Sequence, residues 1–234
     1  MALSSAARGS DPVVRAKTAC GVVAGPAFVG AFTAIGARRA GYDWRRHPVS
    51  SLAIGPEGWT QRANFILIGG LYCIAAQGLS RSSRRAVGPS VVPALVFGAG
   101  SGLIGSGLFV TDPVAGFPSF EHGSEGAEGA LPAQGGTREG RLHNLCAIPI
   151  FAGVPLAALT CAASGARGRA YLWAACCLGS AIGMTGAFVL FGAALGGQPR
   201  LAGRGGVFQR ISIATGFGWL SALCLRALRQ PRGE

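Results

Sequence analysis

Long apolar runs alternate with polar connectors along almost the whole chain. Each run reaches or approaches the roughly 20 residues that an α-helix needs to cross about 30 Å of hydrocarbon. The first five runs contain no Asp, Glu, Lys or Arg, and the arginines of the sixth stand near its ends. The runs cover residues 18–37, 63–80, 86–110, 144–164, 170–196 and 207–228. This pattern predicts an all-α fold, a polytopic membrane protein built as a bundle of six transmembrane helices.

The connectors and the ends of the chain define the predicted domain organisation. Residues 1–17 form a polar N-terminal segment without the features of a removable signal peptide. The six-helix transmembrane domain covers 18–228, and residues 229–234 form a basic C-terminal tail. Within the domain, residues from about 119 to 140 are acidic and rich in glycine, which predicts a flexible loop.

Basic residues stand at the ends of the apolar runs. The net charge is +12 and the isoelectric point about 10.7, but the arginines form no basic stripe of the kind that binds nucleic acid. Six spans place both termini on one side, and the compact connectors 81–85 and 165–169 favour the cytoplasm for that side. We therefore expect a multi-pass protein of the cell membrane with cytoplasmic termini, in contact with membrane lipid and without a nucleic-acid partner.

Composition agrees with helices that pack closely in a bilayer. Half of the residues are hydrophobic, only 13% are charged, and the chain has 39 glycines. Small residues let neighbouring helices approach, so the glycine-rich stretch 98–107 is expected to pack helices and not to hold a phosphate. The seven cysteines lie in apolar runs without CxxC spacing, and no histidine stands at the centre of a run. No metal site and no cofactor are predicted.

Groups that exchange protons are concentrated on the face opposite the termini. Seven of the nine acidic residues and all three histidines lie in the connectors of that face or at their edges. They are Asp43, Glu57, Asp112, Glu121, Glu125, Glu128 and Glu139, with His47, His122 and His143. The distribution indicates that any acid–base site lies at this face of the bundle.

The connector between the first two runs, GYDWRRHPVSSLAIGPEGW at 41–59, is the richest polar segment. The residue before a proline avoids the helical conformation, so His47 is expected in a turn, where it either caps the backbone or takes a functional role. Trp44 and Trp59 either anchor the chain at the membrane interface or contact a ligand. Two turn signals in one connector predict that it folds back onto the bundle.

Three further polar positions border the apolar runs. Asp112, before a proline, either bonds the local backbone or faces a cavity between helices, where it could stay protonated. His143 either caps a helix or lines the mouth of that site. Arg210 either reaches the membrane interface or pairs with Asp112 or Glu57, because intramembrane charges usually find partners.

Several of these positions fall in motifs that resemble a known family. HPVSSLAIGPEGWTQRANF (47–65), GLFVTDPVAGFP (107–118), Leu142-His143 and Gln209-Arg210 resemble the actinobacterial six-helix membrane proteins grouped as domain of unknown function 998. The resemblance covers the chain from the first helix to the last and implies six transmembrane helices but no activity. The positions that it picks out are His47, Trp59, Asn64, Asp112, Pro113, His143 and Arg210.

In size and helix count the chain is also similar, by class and not by motif, to small bacterial membrane-bound terpene cyclases. That similarity implies an isomerase of terpenoid biosynthesis, which cyclises a hydrophobic prenylated substrate or lipid arriving from the bilayer. Such chemistry needs a carboxylic acid kept protonated in an apolar pocket with aromatic walls. Candidate proton donors are Asp112, Asp43 and Glu57, assisted by His47 or His143. Candidate substrate-binding residues are Trp44, Trp59, Asn64, Phe65, Phe109, Phe117, Arg210 and Trp219.

Two other functions fit the same pattern. A non-catalytic membrane protein that binds a lipid or a protein partner would use the polar connectors only as surface. A metal-dependent membrane hydrolase would use His47, His122, His143 and Asp112 as ligands, but their spacing matches no known zinc pattern.

Overall fold

The computed structural model describes residues 11–118 and 136–230. Across these residues the chain is helical, with one isolated β-bridge between Val114 and Phe117. The helices are α1 (Pro12–Arg38), α2 (Trp59–Ser80), α3 (Arg84–Val87), α4 (Val91–Leu108), α5 (Arg138–Phe151), α6 (Gly153–Arg167), α7 (Tyr171–Leu195) and α8 (Gly205–Arg229). Most of the predicted loop 119–140 lies outside the described residues, as do His122 and residues 231–234.

Six helical segments are long and apolar enough to cross a membrane, which confirms the predicted all-α, multi-pass architecture. Helices α1, α2, α4, α7 and α8 each form one span, and α5 with α6 together form another. Their order along the chain places both termini at one face, here called the termini face. The opposite face, here called the loop face, carries the connector 39–58, the described residues 109–118 and 136–137, and the connector 196–204.

Some helix ends differ from the predicted ones. Helix α1 begins at Pro12 and not at 18, because the side chain of Asp11 accepts a hydrogen bond from the N–H of Val13 at 2.9 Å and caps the helix. The predicted third run is divided, since Gly88 takes a positive φ of 93° between α3 and α4. Polar residues therefore extend some helices into segments that hydropathy alone assigns to connectors.

The spans form a ring in which α1 packs between α2 and α8, α4 packs beside α2, and α7 packs beside α8. Glycines set the closest approaches in this ring. A Cβ on Gly69 of α2 would lie 2.5 Å from the carbonyl oxygen of Gly100 on α4, and a Cβ on Gly100 would lie 2.7 Å from that of Gly69. The glycine-rich stretch of α4 therefore packs helices, as its composition predicts.

The span formed by α5 and α6 is broken at Ala152, between Pro149 and Pro155. A proline lacks the N–H that would bond the carbonyl four residues earlier, so this pair weakens the helix at that point. Helix α6 packs extensively against α7, whereas α5 packs mainly against α4. The break thus leaves a gap between α5 and α7 in the half of the bundle nearest the loop face.

Aromatic rings fill the centre of the bundle. Phe28 of α1 stacks on Phe217 of α8 with ring centroids 5.2 Å apart and lies 5.5 Å from the ring of Phe65 on α2. Tyr72 packs edge-on against Phe217 at 5.5 Å on the side of the termini face. This aromatic cluster joins three spans and closes the interior below the loop face.

Candidate active site

The connector 39–58 folds back onto the bundle, as its turn signals predict. The side chain of Asp43 accepts a hydrogen bond from the N–H of Arg45 at 2.8 Å, and its carbonyl accepts one from the N–H of His47 at 2.8 Å. A 3₁₀ turn at Val49–Ala53 follows and buries Leu52 completely. Asp43 therefore shapes the connector, and its carboxylate lies outside the cavity described below.

Two adjacent residues of α8 hold this connector. The side-chain oxygen of Gln209 accepts a hydrogen bond from the N–H of Val49 at 2.6 Å. Arg210 donates from Nη1 to the carbonyls of Trp44 at 2.7 Å and of His47 at 3.2 Å, and from Nη2 to the hydroxyl of Tyr42 at 2.6 Å. All of these partners belong to the connector 39–58. The Gln209-Arg210 pair therefore clamps the connector onto α8.

The ion pair that was one of two alternatives for Arg210 is not present among the described residues. The guanidinium of Arg210 is satisfied by carbonyl oxygens, and it lies over the rings of Phe32 and Tyr42 at 5.7 and 5.6 Å. Glu57 pairs instead with Arg39, at 2.8 Å, and its side chain is 75% exposed. Arg210 therefore positions the connector, and Glu57 lies outside the cavity described below.

The contacts of His47 fit the structural one of its two predicted roles. Its Nδ1 accepts a hydrogen bond from the N–H of Asp43 at 2.9 Å. The imidazole stacks on Phe117 with centroids 5.0 Å apart and is buried. An edge and a face of the ring are thus engaged by the protein, and His47 joins the connector to the segment after α4.

The pH dependence of this contact follows from the buried imidazole. Burial lowers the pKa of His47 below its usual 6.5, and protonation would place a hydrogen on Nδ1, facing the N–H of Asp43. Near and below pH 6.5 the unfolded state therefore binds more protons than the folded state. The contribution of the buried neutral imidazole to stability is complete above pH 6.5 and is lost as the pH falls through the lower pKa of the folded state. We expect the Tm of the purified protein to fall between pH 7.5 and 5.5, and His47→Asn to flatten that fall. An equal fall in the variant would contradict this role.

A cavity of about 260 Å³ lies beneath the connector, between the aromatic cluster and the loop face. It is apolar toward the centre of the bundle and polar toward the loop face. The apolar part is lined by phenylalanines from five spans: Phe28, Phe65, Phe151, Phe188, Phe191 and Phe217. The polar part is lined by Ser50, Ser106, Thr111, Asp112, His143, Asn144 and Gln209. Asp112, His143 and Phe65 are the predicted site residues that this cavity brings together.

Asp112 lies at the N-terminus of α5. Its carboxylate accepts hydrogen bonds from the hydroxyl of Thr137 at 2.7 Å and from the N–H of the same residue at 3.1 Å. A Cβ at Gly140 would collide with this carboxylate, so glycine at that position lets it approach the first turn. These hydrogen bonds hold the carboxyl group of Asp112 against the first turn of α5 at the edge of the cavity.

His143 joins the end of α4 to the first half of α5. Its Nδ1 lies 2.9 Å from the carbonyl oxygen of Phe109. Because a carbonyl only accepts hydrogen bonds, Nδ1 carries a hydrogen and Nε2 of the neutral ring keeps a lone pair. The imidazole is buried and lines the cavity, so it both caps α4 and contributes an acid–base group.

The predicted aromatic walls are mostly elsewhere. Trp44 and Trp59 are 51% and 67% exposed at the loop face, which fits the interface-anchor alternative. Phe117 packs on His47, and Phe109 contributes its carbonyl to His143. Neither the ring of Trp44 nor that of Trp59 lines the cavity, and the same holds for Phe109 and Phe117.

Two more predicted binding residues also lie away from the cavity. The indole N–H of Trp219 lies 3.3 Å from the sulfur of Cys177 in the interior of the bundle. Asn64 is buried and donates to the carbonyl of Phe28 at 3.5 Å and to the side chain of Gln61 at 3.3 Å. Both residues therefore hold helices together, and the predicted contacts with substrate are replaced by contacts within the protein.

The cavity also contains residues that the sequence interpretation missed. Phe188, Phe191 and Leu195 stand three and four positions apart, so one face of α7 contributes all three. That spacing is visible in the sequence, but α7 is apolar all round, and nothing marks this face as the inner one. Ser106 is buried with its hydroxyl unpaired among the described residues, and it lies on the cavity wall.

One comparison with known proteins gives a match. A family model described as "Protein of unknown function (DUF998)" matches residues 22–226. The chain belongs to this family. No curated protein and no solved structure matches. Because the cavity-lining residues run from Phe28 to Phe217, the whole candidate site of this DUF998 protein lies inside the matched region.

The cavity of the DUF998 chain opens sideways through the gap between α5 and α7. Asn144 and Leu195 line the cavity and are also exposed, so they mark the opening near the loop face. Deeper in the bundle, Phe151 and Phe188 close the gap by stacking with centroids 4.0 Å apart and planes 15° apart. Both helices are long and apolar enough to cross a membrane.

No group of three metal-binding side chains comes together in the part of the chain that the structure describes. Of the four ligands considered for a hydrolase, His47 is engaged by the backbone N–H of Asp43, and His122 lies outside the described residues. Asp112 and His143 remain as one carboxylate and one imidazole on the same cavity, an arrangement suited to proton transfer.

Proposed function

We propose that this protein is an integral membrane enzyme that cyclises a prenylated hydrophobic substrate by acid-initiated proton transfer inside the bundle. The observation that carries the proposal is one cavity that combines six phenylalanine rings with Asp112 and His143. The rings and the acid–base pair occupy opposite ends of the cavity, so an extended prenyl chain of the substrate can reach both.

The apolar end suits a reaction through carbocations. A growing carbocation needs a cavity from which water is excluded, and the faces of aromatic rings stabilise positive charge. Phe28, Phe65 and Phe217 pack against one another from three spans, which keeps their positions fixed. These three rings are the walls against which the prenyl chain of the substrate would fold.

The polar end suits the transfer of the proton. The acid gives a proton to the terminal alkene or epoxide, the π electrons of the chain form the new carbon–carbon bonds, and the final cation loses a proton. The product is an isomer of the substrate, and no co-reactant is consumed. Asp112 is the proposed donor, because it is the carboxyl group that lines this cavity. Nε2 of His143 is the proposed acceptor of the final proton.

The direct test uses membranes that contain the protein and a set of farnesylated indole-type compounds. We expect one of them to give a product of unchanged mass and altered chromatographic retention, which is absent with control membranes. If no prenylated compound is converted while the protein is intact, the enzymatic proposal is overturned.

A second candidate function is non-catalytic binding of a lipid in the same cavity. The observation in its favour is the set of donors around Asp112, since the hydroxyl and N–H of Thr137 stabilise a carboxylate. The two functions separate experimentally, because a binding protein retains a prenylated compound without converting it, whatever the residue at position 112.

Both proposals require entry through the gap between α5 and α7. Ala147 lines the cavity beside this gap, so Ala147→Trp is expected to reduce uptake of a fluorescent farnesyl compound at least about tenfold by filling the passage. Leu145→Trp is the matched control, because Leu145 lies on the same helix and is 61% exposed. Equal uptake in the two variants, measured by fluorescence quenching, would show that substrate enters elsewhere.

We also propose that the termini face is cytoplasmic. The compact connectors on that face carry Arg81, Arg84 and Arg85 before α4, and Arg167 and Arg169 before α7, which supports this orientation. A cysteine introduced at Arg169 should resist a membrane-impermeant reagent in intact cells, whereas one at Arg200 should react. The reverse pattern would invert the topology without changing the cavity.

A further inference from the structure

A second cavity lies at the termini face. It has a volume of about 170 Å³ and is formed by the segment 85–88, the end of α6, the start of α7 and the end of α8. Arg85, Ser164, Trp173 and Arg226 contribute side chains to its wall. This termini-face pocket shares no lining residue with the candidate active site.

Arg226 is held rigidly in this pocket. Its Nε donates to the carbonyl of Ala86 at 3.2 Å, and its guanidinium carbon lies 4.9 Å from the centroid of the Trp173 ring. The two Nη groups have no carboxylate partner within the described chain. The ion pair found there joins Arg39 to Glu57 at the opposite, loop face. Arg226 thus presents a fixed, uncompensated fork of donors of the kind that binds phosphate oxygens.

The charges around the pocket have the same sign. Among the described residues, the ends of helices and connectors at the termini face carry nine basic side chains, and the acidic side chain there is that of Asp11, which caps α1. The basic ones are Arg15, Lys17, Arg81, Arg84, Arg85, Arg167, Arg169, Arg226 and Arg229. An anion in the pocket would be attracted by this whole face.

An apolar groove continues from the pocket toward the lipid. The groove has a volume of about 310 Å³ and shares Trp173 and Arg226 with the pocket, while Ala222 and Leu225 form its floor on α8. A ligand seated at Arg226 can therefore place a charged group in the pocket and a hydrocarbon chain in the groove. A soluble anion would leave the groove empty.

We propose that the termini-face pocket binds the phosphate of an anionic phospholipid, with one acyl chain lying in the groove along α8. Arg226 and Arg85 hold the phosphate oxygens, and Trp173 lies at the level where aromatic side chains meet headgroups. This site is independent of the proposed catalytic function, since it uses different residues on the opposite face.

The test compares variants in nanodiscs and in detergent. Native mass spectrometry should detect one retained phosphatidylglycerol per wild-type protein in preference to phosphatidylcholine. Arg226→Gln is expected to weaken this binding roughly tenfold, and Arg85→Gln to weaken it by a smaller factor without affecting the fold, because Arg85 is exposed. The matched control is Arg81→Gln, since Arg81 is an exposed arginine of the same face outside the pocket.

The outcomes separate the possible sources of the anion. Equal loss in Arg226→Gln and Arg81→Gln would overturn the proposal, because the binding would then depend on overall charge. Full competition by millimolar inorganic phosphate would also overturn it in favour of a soluble anion. Retention of affinity in Arg226→Lys would show that a point charge is enough and would contradict the assigned fork geometry.

Discussion

Changing Asp112 to asparagine is expected to lower conversion of the prenylated substrate at least about 100-fold, the usual contribution of a general acid. Asparagine has nearly the same size and still accepts the hydrogen bond that Thr137 donates from its hydroxyl, but it has no proton to give. The bundle should therefore insert and fold, with a small decrease in Tm from the changed contact with the N–H of Thr137. Initial rates in nanodiscs, with Tm measured on the same samples, check the prediction.

Asp43→Asn is the matched control for this variant. Asparagine can accept the N–H of Arg45 as aspartate does, so the turn at the start of the connector is kept. Asp43 lies outside the cavity, and its variant should retain the wild-type rate. Full activity of Asp112→Asn would remove Asp112 as the donor, and equal losses in the two variants would point to a general effect of charge at the loop face.

The second large effect is expected on stability. Replacing Arg210 by methionine removes the donors to Trp44, His47 and Tyr42 at once and leaves partly buried carbonyls without partners. Water reaches some of these groups at the loop face, so we expect a total loss of about 3 kcal/mol in the free energy of unfolding. The connector should also become more exposed to hydrogen exchange and proteolysis.

Lysine at position 210 should recover only part of this stability, since a single ammonium cannot replace the planar fork of the guanidinium. Arg200→Met is the control for the loss of one arginine, because Arg200 is exposed in the short turn before α8. Denaturant titration in detergent, followed by proteolysis of the connector, measures both effects. If Arg210→Met and Arg200→Met are equally stable, the clamp has no role in holding the connector.

Much of the fold could be predicted from the sequence because the bilayer leaves few alternatives. A run of apolar residues of sufficient length must form a helix that satisfies its own backbone, and six such runs make a bundle. The glycine-rich stretch of α4 packs helices as predicted. Helix ends were less accurate, because the cap at Asp11 and the turn at Gly88 depend on local geometry and not on hydropathy.

The candidate site could be predicted only in part. Asp112 and His143 stand out because they are titratable groups at the edges of apolar runs, and the structure places them on one cavity. The partners of Arg210 could not be foreseen, since backbone carbonyls leave no mark in the sequence. The sequence allowed either a position at the membrane interface or a carboxylate partner, whereas the connector brings its carbonyls to the guanidinium.

The aromatic walls were the least predictable feature. Trp44, Trp59 and Trp219 are candidate walls because aromatic faces stabilise positive charge. An exposed indole at the interface and a buried indole between helices, however, serve structure equally well. Phe217 and Phe191 line the cavity because of the rotation of α8 and α7 about their own axes within the bundle. That rotation depends on helix packing, which the sequence of one apolar helix does not specify.

The central claim is that the cavity between the aromatic cluster and the loop face receives a hydrophobic chain from the bilayer. Photo-crosslinking with a farnesyl compound that carries a diazirine at the end of its chain tests it most directly. The account predicts labelling of inward residues such as Phe28 and Phe217, located by mass spectrometry of the digested protein. Labelling confined to lipid-facing residues such as Leu172 and Ile182, 91% and 63% exposed, would contradict it.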